Sequence, residues 1–285
     1  IFFITKALKE YRWLIVFIPF VFLGGRYWMD CMNATRQMIV ACGFLWASKY
    51  IYEKRILYYI GFVLVCSLIH QSAIILLPFT LFPSKIDITD KRFSLIIILL
   101  GCFVLGQISQ FSGLANYVQT IAGATDYDLY GKFMSESLQS GYDKEVLKLG
   151  PMMLSYLLIP LFIIWFGPEL RDTCRDKIPL FSLWFNFSFL YSCFYLLVCN
   201  LGHIFIRPFM YFSLFQMVMA ALVLQYLWTE YKQFGLRQVA TITFCFVVAI
   251  NTCWDVYKAS GLPFETSTYK ISLFHKDQQQ WFNLQ

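Results

Sequence analysis

Runs of about 20 apolar residues recur from one end of this chain to the other, and they limit its fold more than any other feature. A helix needs about 20 residues to cross a hydrocarbon core of about 30 Å, because each helical residue advances the chain by about 1.5 Å. Hydrophobic residues make up 59% of the sequence and charged residues only 14%, which is far from the balance of a soluble domain. The sequence therefore predicts an all-α fold, a polytopic transmembrane helical bundle.

The charged breaks between the apolar runs divide the chain into eight predicted membrane segments. They lie at about 13–25, 36–52, 56–82, 93–109, 151–167, 179–200, 207–228 and 237–254. Residues 110–150 are predicted to form one long external loop, and residues 255–285 a polar tail. We interpret 1–285 as a single transmembrane domain. Because the chain begins with Ile1 and carries no signal peptide, we expect it to be a fragment that lacks N-terminal helices.

Residues 56–82 are too long for one untilted crossing and too short for two. The stretch contains the polar triplet His70-Gln71-Ser72 and also Pro78, and both features favour a broken or re-entrant helix. Such a hairpin also leaves all five clusters of Lys and Arg on one side, as the excess of cations in cytoplasmic loops requires. These clusters are Lys6/Lys9/Arg12, Lys49/Lys54/Arg55, Lys85/Lys91/Arg92, Arg171/Arg175/Lys177 and Lys232/Arg237.

Five basic side chains depart from that inside pattern and converge on the outer face. His70 follows Arg55 by 15 residues, which places it about 22 Å from the inner boundary. Arg26 and Arg36 flank the predicted outer turn between the first two segments, while His203 and Arg207 occupy a later outer turn. Arg207 precedes Pro208, and proline favours the start of a helix. A guanidinium beside a helix N-terminus is typical of a phosphate-binding site.

Each of these residues also has a structural interpretation. Arg36 can pair with Asp30 or reach the lipid headgroups, Arg207 can be an anchor at the interface, and His70 can bond to a neighbouring carbonyl as a packing residue. The three consecutive polar residues at 70–72 favour function, since polar groups are costly in lipid. In the long loop, Asp126 and Tyr130 are candidates for contacts with sugar hydroxyls, or are simply solvated.

Two classes of site are excluded. The formal charge of +6 is small and dispersed, so no nucleic-acid-binding surface is expected. The nine cysteines and three histidines show no metal-ligand spacing, so no metal site is predicted and no disulfide framework is implied.

Three short motifs carry a resemblance to a known family. They are N-x-x-R-Q at Asn33, Arg36 and Gln37, H-x-S-A at His70, Ser72 and Ala73, and IRPFMYF with Arg207. With these motifs the chain resembles the EpsG family of bacterial exopolysaccharide proteins, relatives of the Wzy-type polymerases. The helix pattern is similar over nearly the whole chain.

The resemblance implies a GT-C-like membrane glycosyltransferase without a cofactor. It would polymerise oligosaccharide units linked to polyprenyl diphosphate, at the outer face of the bacterial cytoplasmic membrane, within the lipid bilayer and alongside other polysaccharide-assembly proteins. His70 would be the general base, while Arg36 and Arg207 would hold the diphosphate. The expected substrate-binding residues are Arg26, Asn33, Gln37, Ser72, His203, Asp126 and Tyr130.

Two other functions are also compatible with the sequence. A membrane O-acyltransferase that modifies surface glycans also needs a histidine in a multi-span core, but that histidine should be reachable from the cytoplasm. A transporter or flippase of lipid-linked sugars would need no chemistry, and it should line both leaflets with polar groups and often show repeated halves.

Overall fold

The computed structural model describes residues 2–107, 151–174, 176–198, 206–229 and 234–261. Every regular element within these ranges is a helix. Numbered within them, the α-helices are α1 Phe2–Ala7, α2 Phe17–Gly24, α3 Tyr27–Asn33, α4 Thr35–Tyr52, α5 Ile56–Ile69, α6 Arg92–Gln107, α7 Pro151–Trp165, α8 Gly167–Cys174, α9 Phe181–Val198, α10 Ser213–Thr229 and α11 Phe234–Gly261. The 3₁₀ helices cover Arg12–Leu14, Gln71–Leu81 and Arg207–Phe212. The predicted external loop 110–150 and residues 262–285 of the predicted tail lie outside the described ranges.

Several of these helices have the length and composition of membrane spans. In the described part of the chain, three qualify: Phe181–Val198, Arg207–Thr229 and Gly235–Trp254. The α7–α8 pair makes a fourth if its 54° bend belongs to one span. Pro168 follows the bend, and proline removes a helix hydrogen bond and disfavours helical backbone at the residue before it. The predicted all-α, polytopic membrane fold is confirmed.

The segment predicted at 13–25 is shorter and more broken than the sequence indicates. Its main helix, α2, covers only eight residues, about 12 Å of rise. The helix ends where the Gly25 N–H donates to the Val21 carbonyl oxygen at 2.8 Å. The next residue, Arg26, has a positive φ of 72°, which an α-helix cannot continue through. Apolar composition alone does not reveal such a break.

Residues 56–82 form a hairpin that is broken at position 70, as the sequence predicts. The α5 helix and the 3₁₀ helix Gln71–Leu81 lie side by side, since the Tyr59 hydroxyl donates to the Leu76 carbonyl at 2.9 Å. At the base of the hairpin the Lys54 ammonium donates to the Phe82 carbonyl at 3.2 Å. The two limbs match in length, because 14 α-helical residues rise about 21 Å and 11 3₁₀ residues about 22 Å. His70 is at the tip.

The basic clusters collect at the end of the bundle where the hairpin begins, which we call the basic end. Lys6 and Lys49 lie over the ring of Trp46 at 4.8 and 4.4 Å. Beyond the hairpin, Arg92 pairs with Glu169, and Arg171 pairs with Asp90 at 2.6 Å. Together with the Lys54 contact, these pairs bring the described residues of the first four clusters to one end of the bundle. Arg175 and Lys232 lie outside the described residues, and the cytoplasmic location of the clusters stays a prediction. His70 lies at the far end of the hairpin.

A cluster of phenylalanine rings packs the hairpin, α4, α9 and the start of α10 against one another. Seven ring pairs in this cluster have centroids 4.9 to 5.8 Å apart. The rings are those of Phe44 in α4, Phe79 in the hairpin, Phe187 in α9, Phe212 just before α10 and Phe215 in its first turn. Aromatic pairs at such distances contribute about 0.5–1.5 kcal/mol each beyond their buried area. The hairpin is therefore packed firmly against α4 and the start of α10.

Gly106 lies where α6 approaches α9 closely. A methyl group at this position would overlap the carbonyl oxygen of Leu196, as is common where small residues let membrane helices approach closely. We expect Gly106→Ala to lower the free energy of unfolding by about 1–3 kcal/mol, because the helices must separate. Gly101→Ala on the same helix is the control, since a methyl group there meets open space. Unfolding in mixed detergent micelles measures both variants, and equal stability of the two would contradict the close approach.

Candidate functional site

His70 lies at the one break between the two limbs of the hairpin. Its backbone is extended, with φ −147° and ψ 111°. The His70 N–H still donates to the Cys66 carbonyl, and the His70 carbonyl accepts from the Ala73 N–H, both at 2.9 Å. The chain thus changes direction without leaving these two groups unpaired, which the apolar surroundings would penalise. The imidazole is half-buried.

Two hydroxyl groups surround one nitrogen of the His70 ring. The Ser72 hydroxyl lies 2.8 Å from His70 Nδ1 and 2.7 Å from the Tyr211 hydroxyl. The Tyr211 hydroxyl is itself 3.2 Å from the same Nδ1, and the Tyr211 ring is fully buried. Among the described residues none hydrogen-bonds Nε2, the other nitrogen of the imidazole, which faces away from this pair.

Tyr211 is not among the site residues predicted from the sequence. One signal for it exists, because Tyr211 follows Arg207 by four residues within IRPFMYF, a spacing that brings side chains near each other along a helix. With 18 tyrosines in the chain, that spacing alone does not distinguish it from the tyrosines of the interface.

Arg36 and Arg207 are brought together beside His70. Arg36 lies in the first turn of α4, and Arg207 is the first residue of the 3₁₀ helix that leads into α10. The side-chain amide of Gln37 donates to the carbonyl oxygen of Arg207 and so joins the two elements. The charges of both guanidinium groups act on the His70 imidazole. Both arginines are exposed, while Gln37 is buried.

Arg26 has a different environment. It is only 8% exposed, and its charge acts on Tyr191 of α9, whereas the cations that act on His70 are Arg36 and Arg207. The adjacent Tyr27 hydroxyl donates to Gln216 at 3.0 Å, and the Gln216 amide donates to Ser192 at 2.9 Å. Arg26 therefore borders a second polar network, which joins α3, α9 and α10.

The remaining predicted substrate-binding residues form two groups, those at the His70 site and those outside the described part of the structure. Ser72 and Gln37 lie at the His70 site, with the contacts given above. Asn33 is the last residue of α3, and its side chain lies outside the described part of the structure, as do the residues His203, Asp126 and Tyr130.

The arrangement combines a base with two cations at the end of the bundle opposite the basic end. Along α4, 13 residues separate Arg36 from Lys49, which corresponds to about 20 Å. A neutral imidazole can accept a proton through Nε2. Guanidinium groups bind phosphate oxygens through two parallel hydrogen bonds. The exposed positions of Arg36 and Arg207 leave both groups open to a large anionic substrate.

Comparison with known proteins supports the family suggested by the motifs. Neither a curated protein nor a solved structure matches the chain. The model of the EpsG family matches residues 1–266, a range that contains Arg36, His70, Ser72, Arg207 and Tyr211. The chain therefore belongs to the EpsG family, a family of membrane proteins of the polysaccharide-polymerase type.

Proposed function

We propose that this protein polymerises oligosaccharide repeat units linked to polyprenyl diphosphate, at the outer face of a bacterial cytoplasmic membrane. A hydroxyl of the acceptor sugar attacks the anomeric carbon of the donor. The new glycosidic C–O bond forms as the bond between that carbon and the diphosphate oxygen breaks. His70 Nε2 takes the hydroxyl proton, and the polyprenyl diphosphate leaves with its electron pair. Arg36 and Arg207 stabilise the negative charge that grows on the leaving group.

The observation that carries this proposal is the placement of Arg36 and Arg207 beside His70. Gln37, the neighbour of Arg36, donates to the Arg207 carbonyl, and the short helix that begins at Arg207 also carries Tyr211, whose hydroxyl lies 3.2 Å from His70 Nδ1. Three groups that are 34 and 137 residues apart in sequence supply the two functions that the reaction needs. One is a proton acceptor, and the other is a pair of planar cations suited to a diphosphate. Pre-placed charges of this kind can be the largest contribution to catalysis.

The geometry argues against acyl transfer through a serine nucleophile. In the Ser-His-Asp arrangement the nucleophile contacts Nε2 of the histidine, and Nδ1 faces the group that orients the ring. Ser72 contacts Nδ1, so it occupies the orienting position. An acyltransferase that uses a cytoplasmic thioester would also need its histidine near the basic end, whereas His70 lies at the far tip of the hairpin.

The reaction can be tested with purified protein in nanodiscs and a lipid-linked repeat unit. We expect oligomers that remain attached to one lipid carrier, with one polyprenyl diphosphate released for each new bond, as measured by gel electrophoresis and mass spectrometry. A transporter would leave the repeat units unjoined. An O-acyltransferase would instead add mass from an acyl thioester supplied in a parallel reaction. Either of these results would overturn the proposal.

The proposed orientation has its own test. Met32 is 73% exposed near the His70 end of the bundle, and Lys91 is exposed at the basic end. In intact spheroplasts, a maleimide that cannot cross membranes should label Met32→Cys strongly and Lys91→Cys only after permeabilisation. The parent chain sets the background from its nine native cysteines. The reverse labelling pattern would place the site on the cytoplasmic side and exclude polymerisation at the outer face.

A further inference from the structure

The Ser72 and Tyr211 hydroxyls form a closed triangle with His70 Nδ1. Its three sides measure 2.8, 2.7 and 3.2 Å. The Tyr211 ring also meets the imidazole edge-on, with 6.4 Å between the ring centroids and an interplanar angle of 81°. The imidazole is therefore held both by hydrogen bonds and by an edge-to-face contact with a buried ring.

The hydrogen bonds at Nδ1 influence which nitrogen of the imidazole carries the proton. A neutral imidazole has one N–H and one acceptor nitrogen, and the hydrogen bond made by one nitrogen determines the role of the other. A base that works through Nε2 must carry its proton on Nδ1. An acceptor for that proton is then required, and the Ser72 oxygen is within reach. The Ser72 hydroxyl can in turn donate to the oxygen of Tyr211.

We infer that Ser72 and Tyr211 are positioning residues, which act through His70 and hold it in the tautomer whose Nε2 accepts the proton. This inference rests on the proposed function, in which His70 is the base. Nδ1–H donates to Ser72, Ser72 donates to Tyr211, and Nε2 is left to meet the attacking sugar hydroxyl. Neither hydroxyl needs to touch the substrate.

The position of His70 in the fold explains the need for such a pair. His70 belongs to neither limb of the hairpin, because its extended backbone lies between α5 and the 3₁₀ helix, so no helix fixes the direction of its side chain. Tyr211 belongs to the apolar span Arg207–Thr229, which has an 18-residue apolar window that is 83% buried within the bundle. A packed element is a precise support for a site. Tyr211 thus fixes the tip of the hairpin against the body of the protein.

The same short element fixes the cations relative to the base. Arg207 and Tyr211 share the 3₁₀ helix Arg207–Phe212, and Gln37 binds the carbonyl of Arg207 beside Arg36. The separation between the proton acceptor and the diphosphate-binding groups is therefore determined by one helical segment of six residues. Small errors in such separations are costly in catalysis.

Tyr211→Phe keeps the ring and removes only the hydroxyl, so it isolates this role. Without the Tyr211 oxygen, the Ser72 hydroxyl is free to donate to Nδ1, which favours the tautomer with its proton on Nε2. We expect kcat for chain elongation to fall about 10-fold to 100-fold, a part of the roughly 10²–10⁴-fold that a positioned base contributes. KM for the lipid-linked unit should stay within about 2-fold. Ser72→Ala should behave alike, and Ser72→Thr, which keeps a hydroxyl, should restore most of the rate.

The tautomer itself can be observed without any turnover. The chain has three histidines, His70, His203 and His275, so ¹⁵N-histidine NMR of the full chain in nanodiscs, compared with a His70→Gln sample, assigns the His70 nitrogens. We expect a protonated Nδ1 and an unprotonated Nε2, reversed in Tyr211→Phe. Tyr59→Phe is the matched control, because it deletes another hairpin hydroxyl, which bonds to the Leu76 carbonyl instead of the imidazole, and it should leave the pattern unchanged.

The outcomes separate this inference from the proposed function. Unchanged ¹⁵N signals and an unchanged kcat in Tyr211→Phe would overturn the positioning role, even if His70 proved essential. A reversal that also occurred in Tyr59→Phe would overturn it too, since the cause would then be a loosened hairpin. If instead His70→Gln elongated chains normally, the proposed function would fail, whatever the tautomer.

Discussion

His70→Ala should abolish chain lengthening while the protein remains inserted and single repeat units continue to be made. The variant loses the group that takes the proton from the attacking hydroxyl, and a positioned base contributes about 10²–10⁴-fold to the rate. Electrophoresis of the surface polysaccharide, together with the rate of elongation by purified protein in nanodiscs, measures the effect. In cells the long polymer should be replaced by single lipid-linked units.

The control for His70→Ala is His275→Ala. His275 lies in the predicted polar tail, so its loss should leave elongation unchanged. Folding of each variant is checked by its unfolding midpoint in detergent. The backbone hydrogen bonds of His70 that close the hairpin remain in the alanine variant. Long polymer from a well-folded His70→Ala protein would show that His70 is not the base.

Arg36→Lys and Arg207→Lys should each reduce elongation by about 10-fold to 100-fold. Lysine keeps the charge but lacks the planar fork that binds two phosphate oxygens at once. The loss of one charge-assisted hydrogen bond is worth roughly 1.5–3 kcal/mol, and each 1.4 kcal/mol corresponds to about a factor of ten in rate. Steady-state kinetics with the lipid-linked unit should show kcat falling together with kcat/KM, because the charge on the leaving group is greatest in the transition state.

A matched substitution at the other end of the bundle is available. Arg55 is 59% exposed at the basic end and pairs with Glu53, so Arg55→Lys makes the same chemical change away from the site and should leave elongation unaltered. A rise in KM with kcat unchanged in the Arg36 and Arg207 variants would mean that they only bind the substrate. Normal kinetics in both variants would exclude a role in holding the diphosphate.

The hairpin and the grouping of cations could be predicted from the sequence. The hairpin follows from the number of residues in one apolar segment, and the grouping follows from the positions of the basic residues. A stretch of 27 residues at 56–82 fits neither one crossing nor two, and the positions of Lys and Arg along the chain exclude most other paths. His70 was identifiable for a related reason, since three consecutive polar residues within an apolar run carry a cost in lipid that packing rarely repays.

The contacts that give His70 its setting could not be predicted in this way. Tyr211 and Ser72 are 139 residues apart in sequence, and their meeting depends on how the 3₁₀ helix Arg207–Phe212 packs on the hairpin. Aromatic residues make up 20% of the chain, so a single tyrosine carries little information. The end of α2 could not be predicted either, because it depends on the positive φ that Arg26 adopts, and an arginine in the sequence does not indicate that conformation.

The 3₁₀ winding of the returning limb has a mechanical consequence. If residues 71–81 were wound as an α-helix, 11 residues would rise about 16.5 Å in place of about 22 Å, and the limb would end about 5.5 Å short of the turn at position 70. Pro78, within this limb, has no N–H to offer an α-helical hydrogen bond. The rise per residue of this one helix thus determines how far the imidazole lies from the basic end of the bundle.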